Sequence, residues 1–322
     1  MNNKIFISIA CYRDKEIIPT ILDAYDKAKN KNNLVFGIFL QIAEEDEKEI
    51  NMNKIPKNIN VKLLKKSNLS ARGPAYARYL INKHLWNDEK YYLQIDSHTR
   101  FIKDWDEVIK NMLSSLAPNS VISTYPRGYY RNKKLFISPT VNIMKFKKIR
   151  DGIPIFSSYR KKIDKPRRNF FWAAGFSFCY SCIFNIVPFD PYLKNLFWGE
   201  EFLMSLRFYT HNIKIYTPNQ NIIFTLWDRS YRPTFWELKK EMGIKFEVFG
   251  IISMARLFYI ANMIGINEIK NIEDYVTKNI DKYNIGKRKT IENYFEKTEI
   301  NKSLNNLDFK KIFYNHYFSL KN

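Results

Sequence analysis

The sequence predicts an α/β fold in which a mainly parallel sheet carries helices on its faces. Short apolar, β-rich runs recur at residues 4–10, 34–42, 60–64 and 91–96, and helical patterns lie between them at 15–29 and 75–86. The chain has 322 residues, of which 45% are hydrophobic and 16% aromatic, so it can bury a sizeable core without disulfide or metal staples. The first run, Lys4-Ile5-Phe6-Ile7-Ser8-Ile9-Ala10, breaks at the polar turn Cys11-Tyr12-Arg13-Asp14. Residues 67–74 read as a loop, with Pro74 suited to the first position of the helix that follows. In such sheets ligands bind beyond the carboxyl ends of the strands, so residues 11–14, 67–74 and 96–100 should converge on one crevice. Residues 170–180 return to aromatic, strand-like sequence around Gly175, and a helix opens at Glu200 and runs to about Thr210. Two short strands, 213–216 and 222–226, complete the sheet. After Pro233 the pattern is helical at 235–242 and 246–263, with charged helices beyond. The division this suggests is a unit at 1–232 with an insertion near 127–168, and a helical region at 233–322 packed on it.

The net charge of +21 predicts attraction to an anion, whether nucleic acid, membrane surface or a phosphorylated small molecule. Residues 127–168 hold 14 Lys or Arg against Asp151 and Asp164, and so supply +12 of it. This basic stretch suits either a cover over the crevice that recruits an acidic acceptor or an ordinary solvated insertion. The composition excludes a disordered or fibrous chain. Three cysteines, Cys11, Cys179 and Cys182, are too few for a disulfide framework, and the CxxC spacing of the last two lacks a second pair to complete a zinc site. The first residues enter strand-like sequence without a signal-peptide pattern, and no apolar run reaches the length of a membrane span. A cytoplasmic chain is the expectation.

The sharpest motif is Asp96-Ser97-His98 at the end of the fourth strand. Residues two apart on an extended backbone face the same way, so carboxylate and imidazole form a two-ligand platform for a divalent ion with positions left open. Taken alone the tripeptide also fits a turn cap beside a polar loop histidine. Arg72, Gly73 and Arg78 bracket a helix start, where backbone N–H groups and guanidinium charge suit a phosphate or a solvated surface equally. Phe197-Trp198-Gly199-Glu200-Glu201 pairs two carboxylates at another helix start, an arrangement the helix dipole favours on its own.

The order of these motifs carries a resemblance. Ile9 to Asp14, Ala71-Arg72-Gly73-Pro74 with Ala77-Arg78, Gln94 to Phe101, Ala173-Ala174-Gly175-Phe176, Phe197 to Glu201 with Arg207 and Thr210, and Trp227-Asp228-Arg229 follow one another as in glycosyltransferase family 60. These are the Skp1-type polypeptide GlcNAc transferases, and the resemblance spans most of the chain. The Asp-x-His motif is also similar to that of the polypeptide GalNAc transferases. The resemblance implies a GT-A fold at 1–232, a UDP-sugar donor, and Mn²⁺ or Mg²⁺ held by Asp96 and His98. It places Ala10, Tyr12, Arg13 and Asp14 at uridine, and Arg72, Gly73 and Arg78 at the nucleotide or phosphates. Ser97, Gly175, Trp198 and Arg229 would line the donor. Glu200 and Glu201, with Asp96, would form the catalytic set, the two glutamates orienting sugar hydroxyls and acceptor. The implied reaction is retaining transfer, most simply of GlcNAc, to a hydroxyl of a protein (Ser, Thr or hydroxyproline) or of a glycan.

One departure stands out. The family usually carries a further metal-ligating His before its aromatic-Asp-Arg segment, and here Thr225 stands in that place. A hydroxyl is the poorer ligand, so Thr225, Asp228, His211 or water would complete the shell. This departure also admits a catalytically degraded relative that binds UDP-sugar without turnover. A basic nucleic-acid-binding protein with aromatic stacking groups is the rival from another class, and it explains the charge but not the motif order.

Overall fold

The computed structural model describes residues 3–130, 134–304 and 307–318. In chain order the first half contains β1 (Ile5–Tyr12), α1 (Ile17–Lys27), β2 (Leu34–Ile42), β3 (Val61–Ser67), α2 (Pro74–His84), β4 (Tyr91–Asp96), β5 (Thr99–Phe101), α3 (Trp105–Ser114), β6 (Ser120–Ser123) and β7 (Arg127–Gly128). The second half adds β8 (Val141–Arg150), β9 (Ile153–Lys161), β10 (Arg167–Asn169), β11 (Phe176–Tyr180), α4 (Ile183–Ile186), α5 (Glu200–Thr210), β12 (Lys214–Thr217), β13 (Ile223–Thr225), α6 (Leu238–Met242) and α7 (Ile244–Ile260).

Eight strands form one sheet in the order β10-β12-β6-β11-β4-β1-β2-β3. β3, β2, β1 and β4 run parallel, β11 enters antiparallel between β4 and β6, and β12 returns to the parallel direction beside β6. The period of two along β1 decides which face each side chain serves. Ile5, Ile7 and Ile9 pack with Ile17 and Ile21 of α1 and with Trp105 and Ile109 of α3, while Phe6 points the other way onto Ala77 and Ile81 of α2. A third core joins Met144, Ile153 and Phe156 of β8 and β9 to Leu203 and Leu206 of α5 and to Met254, Leu257 and Phe258 of α7. The helices after Pro233 thus share a core with a helix of the sheet domain.

The expected strands and first helices are present within a few residues. Three features differ. Residues 170–175 form no strand, because the chain must turn at Ala173–Gly175 before β11 can pair with β4. Helix α3 is amphipathic yet lies in sequence dense with polar residues, and it was not anticipated. The basic stretch folds as the antiparallel hairpin β8–β9, in which Lys145, Lys148 and Arg150 are exposed while Met144 and Phe146 face the third core. Arg131, Asn132 and Lys133 of that stretch, and residues 319–322 of the helical region, lie outside the described residues. Cys179 is buried in β11, where burial and then the neighbouring Cys182 raise its thiol well above the ordinary value, and both cysteines are free. Among the described residues no helix is long and apolar enough to cross a membrane.

Candidate active site

A cavity of about 800 Å³ opens beyond the carboxyl ends of β1 and β4. That volume suits a ligand of nucleotide-sugar size. The N-terminal ends of α2 and α5 point into it, and the hairpin β8–β9 and the segment after β13 wall it. Ala10, Tyr12, Gly73, Arg78, Asp96, Ser97, His98, Gly175, Trp198, Glu200, Glu201, Thr225 and Arg229 all line it. Most of the expected set therefore meets in one place.

On one wall the carboxylate of Asp96 and the ring of His98 face each other across a bend, with Nε2 to Oδ2 at 3.6 Å. The ring is fixed from behind. Its Nδ1 lies 2.7 Å from Oδ2 of Asp14, and since a carboxylate only accepts, Nδ1 is the donor and Nε2 is left facing the cavity. Asp14 is fully buried and also accepts from Ser97 Oγ at 2.6 Å, Tyr231 OH at 2.8 Å and the Glu16 N–H at 3.0 Å, and it pairs with Arg232 at 3.2 Å. Burial alone would raise its pKa, but the hydrogen bond and charge of His98, then Arg232 and Ser97, hold it well below the usual carboxylate range. Asp96 is held low in the same sense, with burial opposed by His98, Arg229 and Arg78.

The two glutamates line the same cavity. Gly199 adopts φ +105°, which an L side chain rarely adopts, and a Cβ there would meet Leu257 Cδ1 at 2.5 Å, so glycine is what lets α5 begin with Glu200 at the cavity. Glu200 is paired to the buried Arg78, while its Oε1 is buried without a hydrogen-bond partner. Arg78 is held protonated, since Glu200, Asp96 and Glu201 outweigh the effect of its burial. Glu201 accepts from Tyr125 OH at 2.5 Å and the Ala174 N–H at 2.9 Å. Burial pushes its pKa up to about 7; Glu200 adds to this, and the bonds from Tyr125 and Ala174 and the charge of Arg78 oppose it. Gly175 closes the wall between the two sides, because a Cβ there would stand 3.0 Å from Oδ2 of Asp96.

The raised value at Glu201 has a measurable consequence. Between its ordinary pKa of 4.5 and about 7 the folded chain keeps a proton there that the unfolded chain has released, so this group makes stability fall as pH rises through that window. Glu201→Gln is expected to flatten that part of the Tm-against-pH curve, and an unchanged slope would show that Glu201 is ionised throughout.

Several expected residues sit elsewhere. Asp14 serves His98 rather than the cavity. Arg13 is held by Asp46 at 2.8 Å, Glu45 at 2.5 Å and Glu237 at 3.1 Å, and does not line the cavity. Arg72 donates through Nη1 to the carbonyls of Leu69 at 3.0 Å and Ala71 at 2.7 Å and meets Met242 Sδ at 3.6 Å, and it does not line the cavity. Asp228 is exposed and accepts from Ser230, outside the cavity lining. His211 caps the far end of α5, where its Nδ1 meets the Arg207 carbonyl at 2.8 Å; eleven residues of helix, about 16 Å, separate it from the cavity. Neither is placed to complete a shell at Asp96 and His98. Thr225 is, since Leu226 N–H donates to the His98 carbonyl at 3.0 Å, and Thr225 Oγ1 is buried with no hydrogen-bond partner. Sequence reading missed Tyr125, Tyr231, Arg232 and Trp236, which come from segments with no motif of their own.

The donor set fits a divalent cation. Nη1 of Arg229 contacts Nε2 of His98, and Nη2 lies 3.7 Å from Oδ2 of Asp96, so a positive group already stands between the two candidate ligands. Among the described residues no group of three or more His, Cys, Asp or Glu gathers round one point, which leaves substrate oxygens and water to fill the remaining positions.

The sheet order and the cavity at its carboxyl edge define the GT-A fold of nucleotide-sugar transferases. The structure of GalNAc-T7 with UDP, GalNAc and Mn²⁺ matches at TM-score 0.59 and 12% identity, over 93% of this chain and 57% of that one. The chain thus spans little more than half the length of that protein. The mannosyltransferase PcManGT from Pyrobaculum calidifontis in complex with GDP-Man and Mn²⁺ matches at TM-score 0.49 and 9% identity, over 88% and 72% of the two chains. S. aureus TarS matches at 0.47 and 10%, over 91% of each. No curated protein matches the chain. The model of the glycosyltransferase (GlcNAc) family matches residues 4–58 and 49–303, and the chain belongs to that family.

Proposed function

We propose that the chain is a metal-dependent, retaining transferase of the family 60 type that moves GlcNAc from UDP-GlcNAc to a hydroxyl of a protein or glycan acceptor. The observation that carries this reading is the Asp96–His98 pair, locked from behind by Asp14 and lining one cavity with Glu200 and Glu201. In this reading residues 1–232 are the catalytic unit and 233–322 a helical region packed on it. Asp96 and His98 would hold Mn²⁺ or Mg²⁺, with Thr225 beside them. Such an ion supplies Lewis-acid stabilisation of the charge on a departing diphosphate.

The remaining chemistry belongs to the chain. Tyr12 and Ala10 at the end of β1 bound the base and ribose side, with Tyr12 OH fixed on Glu237 at 2.6 Å. Gly73 and the first turn of α2 present backbone N–H groups toward an anion. Arg229 adds a guanidinium that can follow the leaving phosphate. Glu200, immobilised by Arg78 with one oxygen unpaired, is placed to accept from a sugar or acceptor hydroxyl. Glu201, poised near neutrality, can hold or release a proton at the same wall. Arg78 fixes the Glu200 carboxylate by its ion pair, and so acts through it rather than on the reacting atoms.

The test is release of UDP from a panel of UDP-sugars, with Mn²⁺ or with EDTA. Slow hydrolysis suffices, so no acceptor is needed. The expected result is metal-dependent release selective for UDP-GlcNAc. Absence of release from every sugar, together with absence of metal-dependent UDP binding, would overturn the reading.

A further inference from the structure

Large apolar side chains are exposed at the mouth of the cavity. Phe197 is 43% exposed, Trp198 40% and Trp236 43%, and their rings touch, with centroids 5.2 Å apart for Phe197 and Trp198 and 5.3 Å for Phe197 and Trp236. Trp236 also meets Phe246 of α7 at 6.3 Å, and Asn195 ties the Phe197 loop to the Phe246 carbonyl at 3.2 Å. The same first turns of α7 expose Ile244, at 60%, and Val248 one helical turn on. Water solvates such a gathering poorly, and apolar patches of this kind mark contact surfaces.

The charge around the patch narrows the partner. Beside it Lys239, Lys240 and Lys245 are balanced by Glu237, Glu241 and Glu247, with Lys239 on Glu247 at 2.6 Å, so the excess positive charge comes from the neighbouring hairpin. Arg150, at the turn of the β8–β9 hairpin, lies over the Trp198 ring at 5.2 Å, which joins the basic hairpin to the patch. Within the hairpin Lys145 stands directly across from Ser157 and Lys148 from Ile155, so their side chains share a face with residues that line the cavity. Protein interfaces are depleted in lysine, and a nucleic acid gains little from aliphatic groups such as Ile244 and Val248. Tryptophan and isoleucine beside a basic hairpin match the headgroup boundary of an anionic bilayer, where apolar rings insert and cationic side chains meet lipid phosphates.

We infer that this face docks on an anionic membrane surface, lying on the bilayer rather than crossing it, with the cavity mouth turned to the lipid. Its consequence, a lipid-linked hydroxyl acceptor, rests on the transferase reading; the docking itself does not.

The experiment is co-sedimentation of the full chain with phosphatidylcholine vesicles and with phosphatidylcholine vesicles containing phosphatidylglycerol, and UDP binding is measured on the same preparations. The expected result is binding to the anionic vesicles only. Ile244→Ser with Val248→Ser is expected to weaken it by about tenfold or more, and Lys240→Glu with Lys245→Glu to do likewise. UDP binding stays unchanged in both, which reports folding and separates this inference from the transferase reading. No sedimentation with either vesicle would overturn the inference. So would equal binding of the Ile244→Ser, Val248→Ser variant, which would leave charge alone at work, or displacement of the vesicles by an acidic peptide or RNA at equal charge.

Discussion

Asp96→Ala is expected to reduce metal-dependent UDP release by about a thousandfold or more, the scale of losing a principal electrostatic contact to a developing charge. Among the described residues the carboxylate is one of two strong candidate ligands brought together, and the absence of a side chain at Gly175 leaves it room. The variant should keep its fold, because Asp96 is half-buried at a cavity wall and its removal strands no partner that water cannot reach. Asp14→Asn makes a finer test of the same wall. Asn cannot receive hydrogens from His98, Ser97 and Tyr231 as a carboxylate does, so the ring loses its fixed tautomer; a loss of about 10–100-fold in metal affinity is expected. Isothermal titration of Mn²⁺ in the absence of UDP-sugar reads this directly. Full release by Asp96→Ala would move the metal and the leaving group away from this wall.

Much of this wall was legible before the structure. The β-rich runs, the breaks after them and the rule that ligands gather at carboxyl ends bring Tyr12, Gly73 and Asp96 together without further information. Their directions were not legible. Arg13 and Arg72 lie in the right turns, but Asp46, Glu45 and Glu237, all far from it in sequence, hold Arg13, and carbonyls of its own loop turn Arg72 aside. Asp14 illustrates the same limit from the other side. It belongs to the site but acts through His98, a role set by which way the turn after β1 faces. His211 fell out because helix length separates it from the cavity, and Thr225 stayed in because β13 pairs with β5 beside His98. The basic stretch could be counted but not shaped: its fold as a hairpin depends on Met144 and Phe156 reaching the core under α7.

Arg256→Ala is expected to destabilise the fold by about 3–5 kcal/mol, the cost of leaving a buried partner charge uncompensated. Arg256 and Asp190 are both fully buried and meet at 2.7 Å. The guanidinium also donates to the carbonyls of Val276 at 2.6 Å and Lys278 at 2.9 Å, and lies over the Tyr192 ring at 4.8 Å. One side chain therefore joins α7, the loop before α5 and the helices beyond residue 270. Arg207 stands close enough that burial, then repulsion from Arg256 against the pull of Asp190, brings its pKa down to about 10. Removing Asp190 instead would leave two buried cations with no counter-charge, so Asp190→Ala should be at least as damaging. Urea unfolding reads both, and the double variant Arg256→Met, Asp190→Leu should recover only part of the loss, since the apolar pair imposes no desolvation cost but Arg207 stays buried without its counter-charge. The effect reaches the cavity as well. The first turns of α7 hold Phe246 against Phe235 and Trp236 at its mouth, so loosening the helix should also weaken UDP binding in Arg256→Ala, and the double variant should restore it in part. Retained stability in Arg256→Ala would show that water enters to solvate Asp190, and that the helical region is held by its apolar core alone.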